Sequence, residues 1–246
     1  MGGKKAKVTW LGHASILVST GEHRIFFDPW IEENPKCDMK LADIKKAAAV
    51  CVTHGHNDHI GDSLEIVKKT GAMLLCSPEI AIYADKKGIG YDKGSYPLNI
   101  GGSWKTDDFT ITMVRADHTS DILGEEFAKD GTVIPGSGCS GYVLEITDGP
   151  CIYYTGDSNV FLDMAVVREL YAPELAVCTA GGKYNMGYRE AAYAAALISP
   201  RYMIPVHHGT FDDQMLDIEK LRAAMKVRAP KVRLVIIAPG ESFDIE

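Results

Sequence analysis

Apolar and polar positions change their period repeatedly along the chain, and each change marks a new element. Val8–Ser19 (VTWLGHASILVS) and His23–Asp28 (HRIFFD) read as two strands joined by a turn at Thr20-Gly21, with Pro29 ending the second. Ile31–Asp43 is a polar loop. Ala47–Thr53 (AAAVCVT) is a short apolar run, the pattern of a strand buried on both faces. His54–Asp62 reads as a glycine-bearing loop, followed by helical spacing over Ser63–Thr70. A strand over Ala72–Cys76 precedes a helix over Pro78–Lys87, where Pro78 occupies a tolerated first-turn position. Alternation over Phe109–Arg115 predicts a strand, Thr119–Gly138 a loop, and Ser140–Thr147 and Cys151–Thr155 two more strands. The rest alternates: helix Val160–Tyr171, strand Leu175–Thr179, helix Tyr188–Ile198, strand Tyr202–Val206, helix Asp213–Lys226 and strand Val232–Ile237. The pattern is that of an α/β protein, and no linker, low-complexity segment or repeat divides it. Residues 1–246 are expected to form a single domain.

Composition narrows the field of functions. The chain is 46% hydrophobic with a formal net charge of −7, and its Lys and Arg are scattered. That balance suits a globular chain and offers no basic footprint for a nucleic-acid backbone, so no nucleic-acid partner is expected. No apolar run reaches the roughly 18 residues that span a bilayer. No signal-peptide core follows Met1–Lys7, and Ala6 spoils a myristoylation motif after Gly2. The expected location is cytoplasmic, without membrane contact. The six cysteines form no C-x-x-C pair and read as small buried hydrophobes in a reducing compartment. Nothing marks an interface, which leaves a homo-oligomer open.

The chemistry lies in histidines and aspartates at the ends of apolar runs. AAAVCVT runs into His54, FTITMVRAD into His118, CIYYTG into Asp157 and RYMIPV into His207. If those runs are strands, their ends can converge on one edge, as in ligand sites of α/β folds. The densest piece is His54-Gly55-His56-Asn57-Asp58-His59, in a chain with only eight histidines. Period two on an extended backbone puts His54 and His56 on one side. A turn helped by Gly55 and Gly61 could bring Asp58 and His59 toward the same cavity. Imidazole with carboxylate suits zinc, manganese, iron or nickel.

The motif His54-x-His56-x-Asp58-His59 resembles the signature of the metallo-β-lactamase superfamily. The likeness is greater to a branch that includes ascorbate-6-phosphate lactonase and many metal-dependent hydrolases. It extends through Trp10-Leu11-Gly12-His13-Ala14, Phe27-Asp28-Pro29, Gly181-Gly182, Met186-Gly187, Ile204–Phe211 and Pro239-Gly240-Glu241. The resemblance implies a four-layer αββα sandwich, two mixed β-sheets flanked by helices. It also implies two divalent metal ions, zinc first among the candidates. His54, His56 and His118 would hold one ion, Asp58, His59 and His207 the other, and Asp157 would bridge them. A hydroxide shared by such a pair is the implied nucleophile, with Asp58 orienting it or taking its proton. His13 is assigned to the catalytic pocket, binding substrate or shuttling a proton. Two positions depart from the pattern: Ser158 follows Asp157 where Thr is usual, and His208 stands where Tyr is common.

Asp28 reads as a buried hydrogen-bond acceptor near the site, and Asp117 as a group orienting the His118 ring. Thr119 and Ser120 read as loop caps, while Lys183, Tyr184 and Asn185 are expected at the substrate entrance. The function that follows is hydrolysis of a small-molecule ester, lactone or phosphoester. The alternative is a phosphodiesterase or nuclease of the same fold, which the acidic charge disfavours. An oxygen-reducing diiron protein is disfavoured because such relatives tend to carry a carboxylate where His56 stands. A drug-hydrolysing β-lactamase would lack Asp157, and a non-catalytic sensor would have no need of the full ligand set.

Overall fold

Strands with both faces buried set the architecture, seen here in a computed structural model that describes residues 4–122 and 129–245. Gly2, and Gly124 of the 119–138 loop, lie outside the described residues. The first sheet contains β1 (Ala6–Gly12), β2 (Ser15–Thr20), β3 (His23–Phe27), β4 (Ala49–Cys51), β5 (Met73–Cys76) and β6 (Ser95–Pro97). The second is built from β7 (Ser103–Lys105), β8 (Phe109–Arg115), β11 (Ser140–Ile146), β12 (Cys151–Tyr154), β13 (Leu175–Thr179), β14 (Tyr202–Val206) and β15 (Arg233–Leu234). A ribbon of β9 (Asp121–Ile122) and β10 (Ile134–Pro135) stands apart, and β16 (Ser242–Ile245) returns to pair with β1 in the first sheet. The two large sheets run β16-β1-β2-β3-β4-β5-β6 and β15-β14-β13-β12-β11-β8-β7. Both are mixed: β3 to β6 and β12 to β15 pair in parallel, the others antiparallel.

Alternation along each strand divides its side chains between two cores. In β13, Leu175 and Val177 enter the apolar layer between the sheets, with Val18, Phe27, Ile111 and Tyr142, while Ala176 and Cys178 face outward. Those outward residues are covered by α4 (Met164–Tyr171), α5 (Tyr188–Ile198) and α6 (Ile218–Arg228), whose Val167, Ala192 and Leu221 join them. On the far side α2 (Ser63–Thr70) and α3 (Pro78–Lys86) pack Ile66 and Ile80 against Val50 and Leu74. This is the αββα sandwich.

Differences from the sequence reading lie in turns and helix starts. Val8–Ser19 is a hairpin, β1 and β2, broken where Gly12 and His13 take φ of 109° and 52°. The 54–62 stretch contains a short helix, α1 (Asn57–Ile60), which His56 precedes as N-cap. The helix expected over Asp213–Lys226 begins at Ile218, because Asp217 caps it by accepting from the Lys220 N–H at 2.9 Å. The helix expected over Val160–Tyr171 begins at Met164. Strands β6, β7 and β16 are not evident from pattern: two are only three residues long, and β16 is exposed at two of its four positions and buried at one. No described helix is long and apolar enough to cross a membrane. The six cysteines are all free thiols, and only Cys151 is not fully buried.

Candidate metal centre

Strand ends and turns at one edge of the sandwich bring the seven expected ligands together. His54 leaves the β4 side, His118 follows β8, Asp157 follows β12 and His207 follows β14. Ligand atoms of His54, His56 and His118 lie within 4.8 Å of one another, as do those of His54, His59 and Asp157. A third such group joins Asp58 and His207 to His13. His54 Nε2 and His56 Nδ1 are 3.0 Å apart, close to the ~3.3 Å between two nitrogens about 2 Å from one tetrahedral ion. Asp157 Oδ2 faces His207 Nε2 at 3.2 Å, His59 Nε2 at 3.5 Å and His118 Nε2 at 3.8 Å. Asp58 Oδ2 lies 3.6 Å from His207 Nε2 and 3.7 Å from His59 Nε2.

A second tier of hydrogen bonds aims these rings. Asp28 is fully buried, and its Oδ2 accepts from His59 Nδ1 at 2.7 Å, Thr53 Oγ1 at 2.7 Å and Tyr154 Oη at 2.8 Å. Since the Thr53 hydroxyl donates to Asp28, it accepts from His54 Nδ1 at 2.9 Å. Both rings therefore carry a proton on Nδ1 and turn Nε2 into the cavity, the second-tier arrangement common to metal-binding histidines. Asn185 acts likewise on Asp157: its Nδ2 donates to Oδ1 at 3.1 Å, which leaves Oδ2 toward the imidazoles.

Charge sharpens the picture. Burial holds His54, His56 and His118 below the ordinary histidine range, so their rings are neutral and able to donate lone pairs. Burial opposes ionisation of Asp58 and Asp157, yet the imidazoles beside them keep both far below the usual carboxylate range. Burial likewise pulls on His59 and His207, but Asp157 and its neighbouring carboxylates prevail, lifting His59 well up and His207 to about 9. Two neighbouring anions, of which Asp157 is buried and Asp58 half-buried, need positive charge close by. Protons on His59 and His207 supply it, and so would divalent cations at the same nitrogens. The buried Nε2 atoms of His59 and His207 have no hydrogen-bond partner, because their carboxylate neighbours are too far or poorly aligned. This donor set fits metal ions.

His13 belongs to the same cluster. Fully buried, it contacts Asp58 Oδ2 through Nε2 at 2.9 Å and Thr210 Oγ1 through Nδ1 at 2.9 Å. Its carbonyl accepts from the His207 N–H at 2.8 Å, and the two rings are 3.8 Å apart. His13, Asp28 and His207 all have positive φ, 52°, 46° and 62°. Such strain in three buried non-glycine residues gathers where function demands a fixed aim. Gly181 allows His207 its place: a Cβ there would lie 2.4 Å from the His207 carbonyl oxygen.

A model of the β-lactamase superfamily domain matches residues 7–207. Two curated relatives, metal-dependent hydrolases of the UPF0173 group, come from Methanopyrus kandleri and Methanosarcina mazei. The first is 38% identical over 97% of this chain and 99% of its own length, the second 38% over 97% and 98%. A solved structure, the metallo hydrolase Igni18 of Ignicoccus hospitalis, superposes with a TM-score of 0.82 at 31% identity, covering 98% of this chain and 99% of its own. This chain belongs to the metallo-β-lactamase superfamily. Within that superfamily fold, the remaining residues singled out from sequence fall into two groups. Thr119 and Tyr184 line a cleft of about 370 Å³ over the cluster, together with Asn57 and Gln214. Ser120 is a loop tie, donating to the Gly136 carbonyl at 2.7 Å and accepting from the Gly55 N–H at 3.1 Å.

The reading of Asp117 is corrected. Asp117 is exposed, and its backbone N–H donates to Ser158 Oγ at 3.0 Å, so it does not orient the His118 ring from a buried position. The His208 ring packs beside Trp10, centroids 5.0 Å apart, outside the clustered ligand groups. Lys183 pairs with Asp213 on the exposed surface. Thr53, Tyr154, Thr210 and Gln214 were missed: each is an ordinary core or loop residue in sequence, and only the fold brings it to the site.

Proposed function

We propose that residues 1–246 form one domain that hydrolyses a small ester, lactone or phosphoester with two divalent cations. Zinc stands first among zinc, manganese, iron and nickel, since imidazole and carboxylate donors suit it. The observation that carries this reading is the pair of buried, unpartnered Nε2 atoms of His59 and His207 facing two ionised carboxylates. His54, His56 and His118 would hold one ion, Asp58, His59 and His207 the second, with Asp157 Oδ2 between them. Bound there, the ions would supply an activated water and the positive charge that stabilises a developing oxyanion.

The chain's own groups do the rest. Asp58 lines the cleft, and its Oδ2 is the base that takes the proton from the attacking water. His13 Nε2, 2.9 Å away, fixes that oxygen, and Thr210 fixes the far side of the His13 ring. The cleft, about 370 Å³, suits a small molecule. Free cysteines support a reducing compartment such as the cytoplasm.

Elemental analysis of the purified protein tests the metal reading, with about two ions per chain as the outcome. A screen of lactones, esters, phosphomonoesters and phosphodiesters with each metal tests the chemistry, and Asp58→Ala should abolish any turnover. A protein that retains no metal, or one that cleaves only RNA in an Asp58-dependent way, would sink the proposal.

A further inference from the structure

One wall of the cleft carries an unmet hydrogen bond. Gln214 is 6% exposed and lines the cavity over the histidines, and its Oε1 is buried without a partner. Its backbone is fully engaged: the N–H donates to the Phe211 carbonyl at 3.0 Å and the carbonyl accepts from the Gly209 N–H at 2.8 Å. The turn thus holds the residue at the cleft wall while its side-chain oxygen stays unsatisfied. A buried polar atom left without a partner costs about 1–3 kcal/mol, so such a group marks where a ligand atom belongs.

The chemistry of that atom follows from the walls. Asn57, Thr119, Tyr184 and Gln214 surround the cleft above the His and Asp floor, and among the described residues no Lys or Arg lines it. Residues 123–128 (LGEEFA) contain neither cation. The nearest lysine in sequence, Lys183, is held by Asp213 and lies over the Tyr184 ring, 4.8 Å from its centroid. A phosphate away from the reacting centre would find no fixed positive partner. A hydroxyl would be served, because it both gives and accepts and so satisfies the carboxamide in either orientation.

Resting on the hydrolase reading above, we infer that the cleft takes an ester or lactone bearing a free hydroxyl and no second anionic group, with Gln214 holding that hydroxyl. Hydroxamates, which chelate the metals without being turned over, test this apart from catalysis. Three acyl hydroxamates, one hydroxylated, one deoxy and one phosphorylated, are titrated calorimetrically into metal-loaded protein. The hydroxylated ligand binds about tenfold or more tighter than the deoxy one, and the phosphorylated one gains nothing. Gln214→Leu removes the preference for the hydroxylated ligand over the deoxy one. Gln214→Glu, which keeps an acceptor of the same reach, retains the preference and further weakens the phosphorylated ligand.

Equal affinity for the hydroxylated and deoxy ligands, tightest binding of the phosphorylated one, or a preference that survives in Gln214→Leu would overturn the inference while leaving the metal reading intact. Failure of all three ligands to bind would remove both, and elemental analysis would show the metal reading failing first.

Discussion

The two flanks of the cleft are built by opposite means. On one, His54, His56, Asp58 and His59 come from six consecutive residues, and His56 sits in ordinary extended backbone at φ −66° before the α1 turn. On the other, His13 and His207 arrive from distant parts of the chain, each in the left-handed region, locked by one backbone hydrogen bond. Local spacing can aim neighbouring side chains at almost no conformational cost. Aiming two side chains from separate sheets requires a backbone that the surrounding packing must force, at about 1–3 kcal/mol per residue. Both flanks lean on Asp28, directly through His59 and indirectly through Tyr154, whose one hydroxyl proton is shared between Asp28 and the Ala14 carbonyl, 3.0 Å away beside His13.

That shared support gives the largest predicted effect. Asp28→Ala removes the acceptor of the Thr53 N–H, the Thr53 hydroxyl and His59 Nδ1, and leaves the Tyr154 hydroxyl only the Ala14 carbonyl. Unfolding in denaturant should show a loss of about 3 kcal/mol or more, with metal content falling too. A change under 1 kcal/mol would mean the flanks do not depend on one another. Next comes His13→Ala, which should lower kcat about a hundredfold at full metal content by freeing Asp58. Unchanged kinetics would remove the strained flank from the chemistry.

A pH titration of metal-stripped protein reads the charge on the two flanks. His207 has a folded pKa of about 9 against 6.5 for an unconstrained histidine, and His59 is raised in the same sense. Their protonation stabilises the fold fully below pH 6.5, and that contribution fades as pH climbs through about 9. Between those values His54, His56 and His118 are neutral whether folded or not, and the carboxylates are ionised, so they do not mask the trend. The loss should be about 3 kcal/mol or more and should vanish once divalent cations replace the protons. A flat apo profile would show that the carboxylates do not hold these protons.

The smallest effect is the most selective. At positive φ, glycine is favoured over alanine by about 1 kcal/mol, whereas in ordinary backbone alanine is favoured. His207→Gly should therefore melt above His207→Ala, while His59→Gly, inside the α1 turn, melts below His59→Ala. The same ranking at both positions would erase the distinction between the flanks.

Legibility followed the same division. Strands Leu175–Thr179 and Tyr202–Val206 and helix Tyr188–Ile198 are read correctly because burial on both faces and an alanine-rich stripe are local signals. The ligand motif is local as well, and its two-residue spacing does set His54 beside His56. The β1–β2 break escapes notice because VTWLGHASILVS stays apolar through the turn, and the turn depends on Gly12 and His13 accepting positive φ. The bond from Asn185 to Asp157, the Thr210 hydroxyl behind His13 and the bare Gln214 oxygen all arise between loops far apart in sequence. No periodicity encodes such meetings.

Tyr154 belongs to the second sheet, yet its hydroxyl ends on a carboxylate and a carbonyl of the first. Sliding one layer over the other would break that link and part His54, His56, Asp58 and His59 of the first layer from His118, Asp157 and His207 of the second. Cargo at the cleft therefore rivets the whole sandwich: loading it should harden both layers together, and a protease would meet an all-or-none substrate instead of a loose edge.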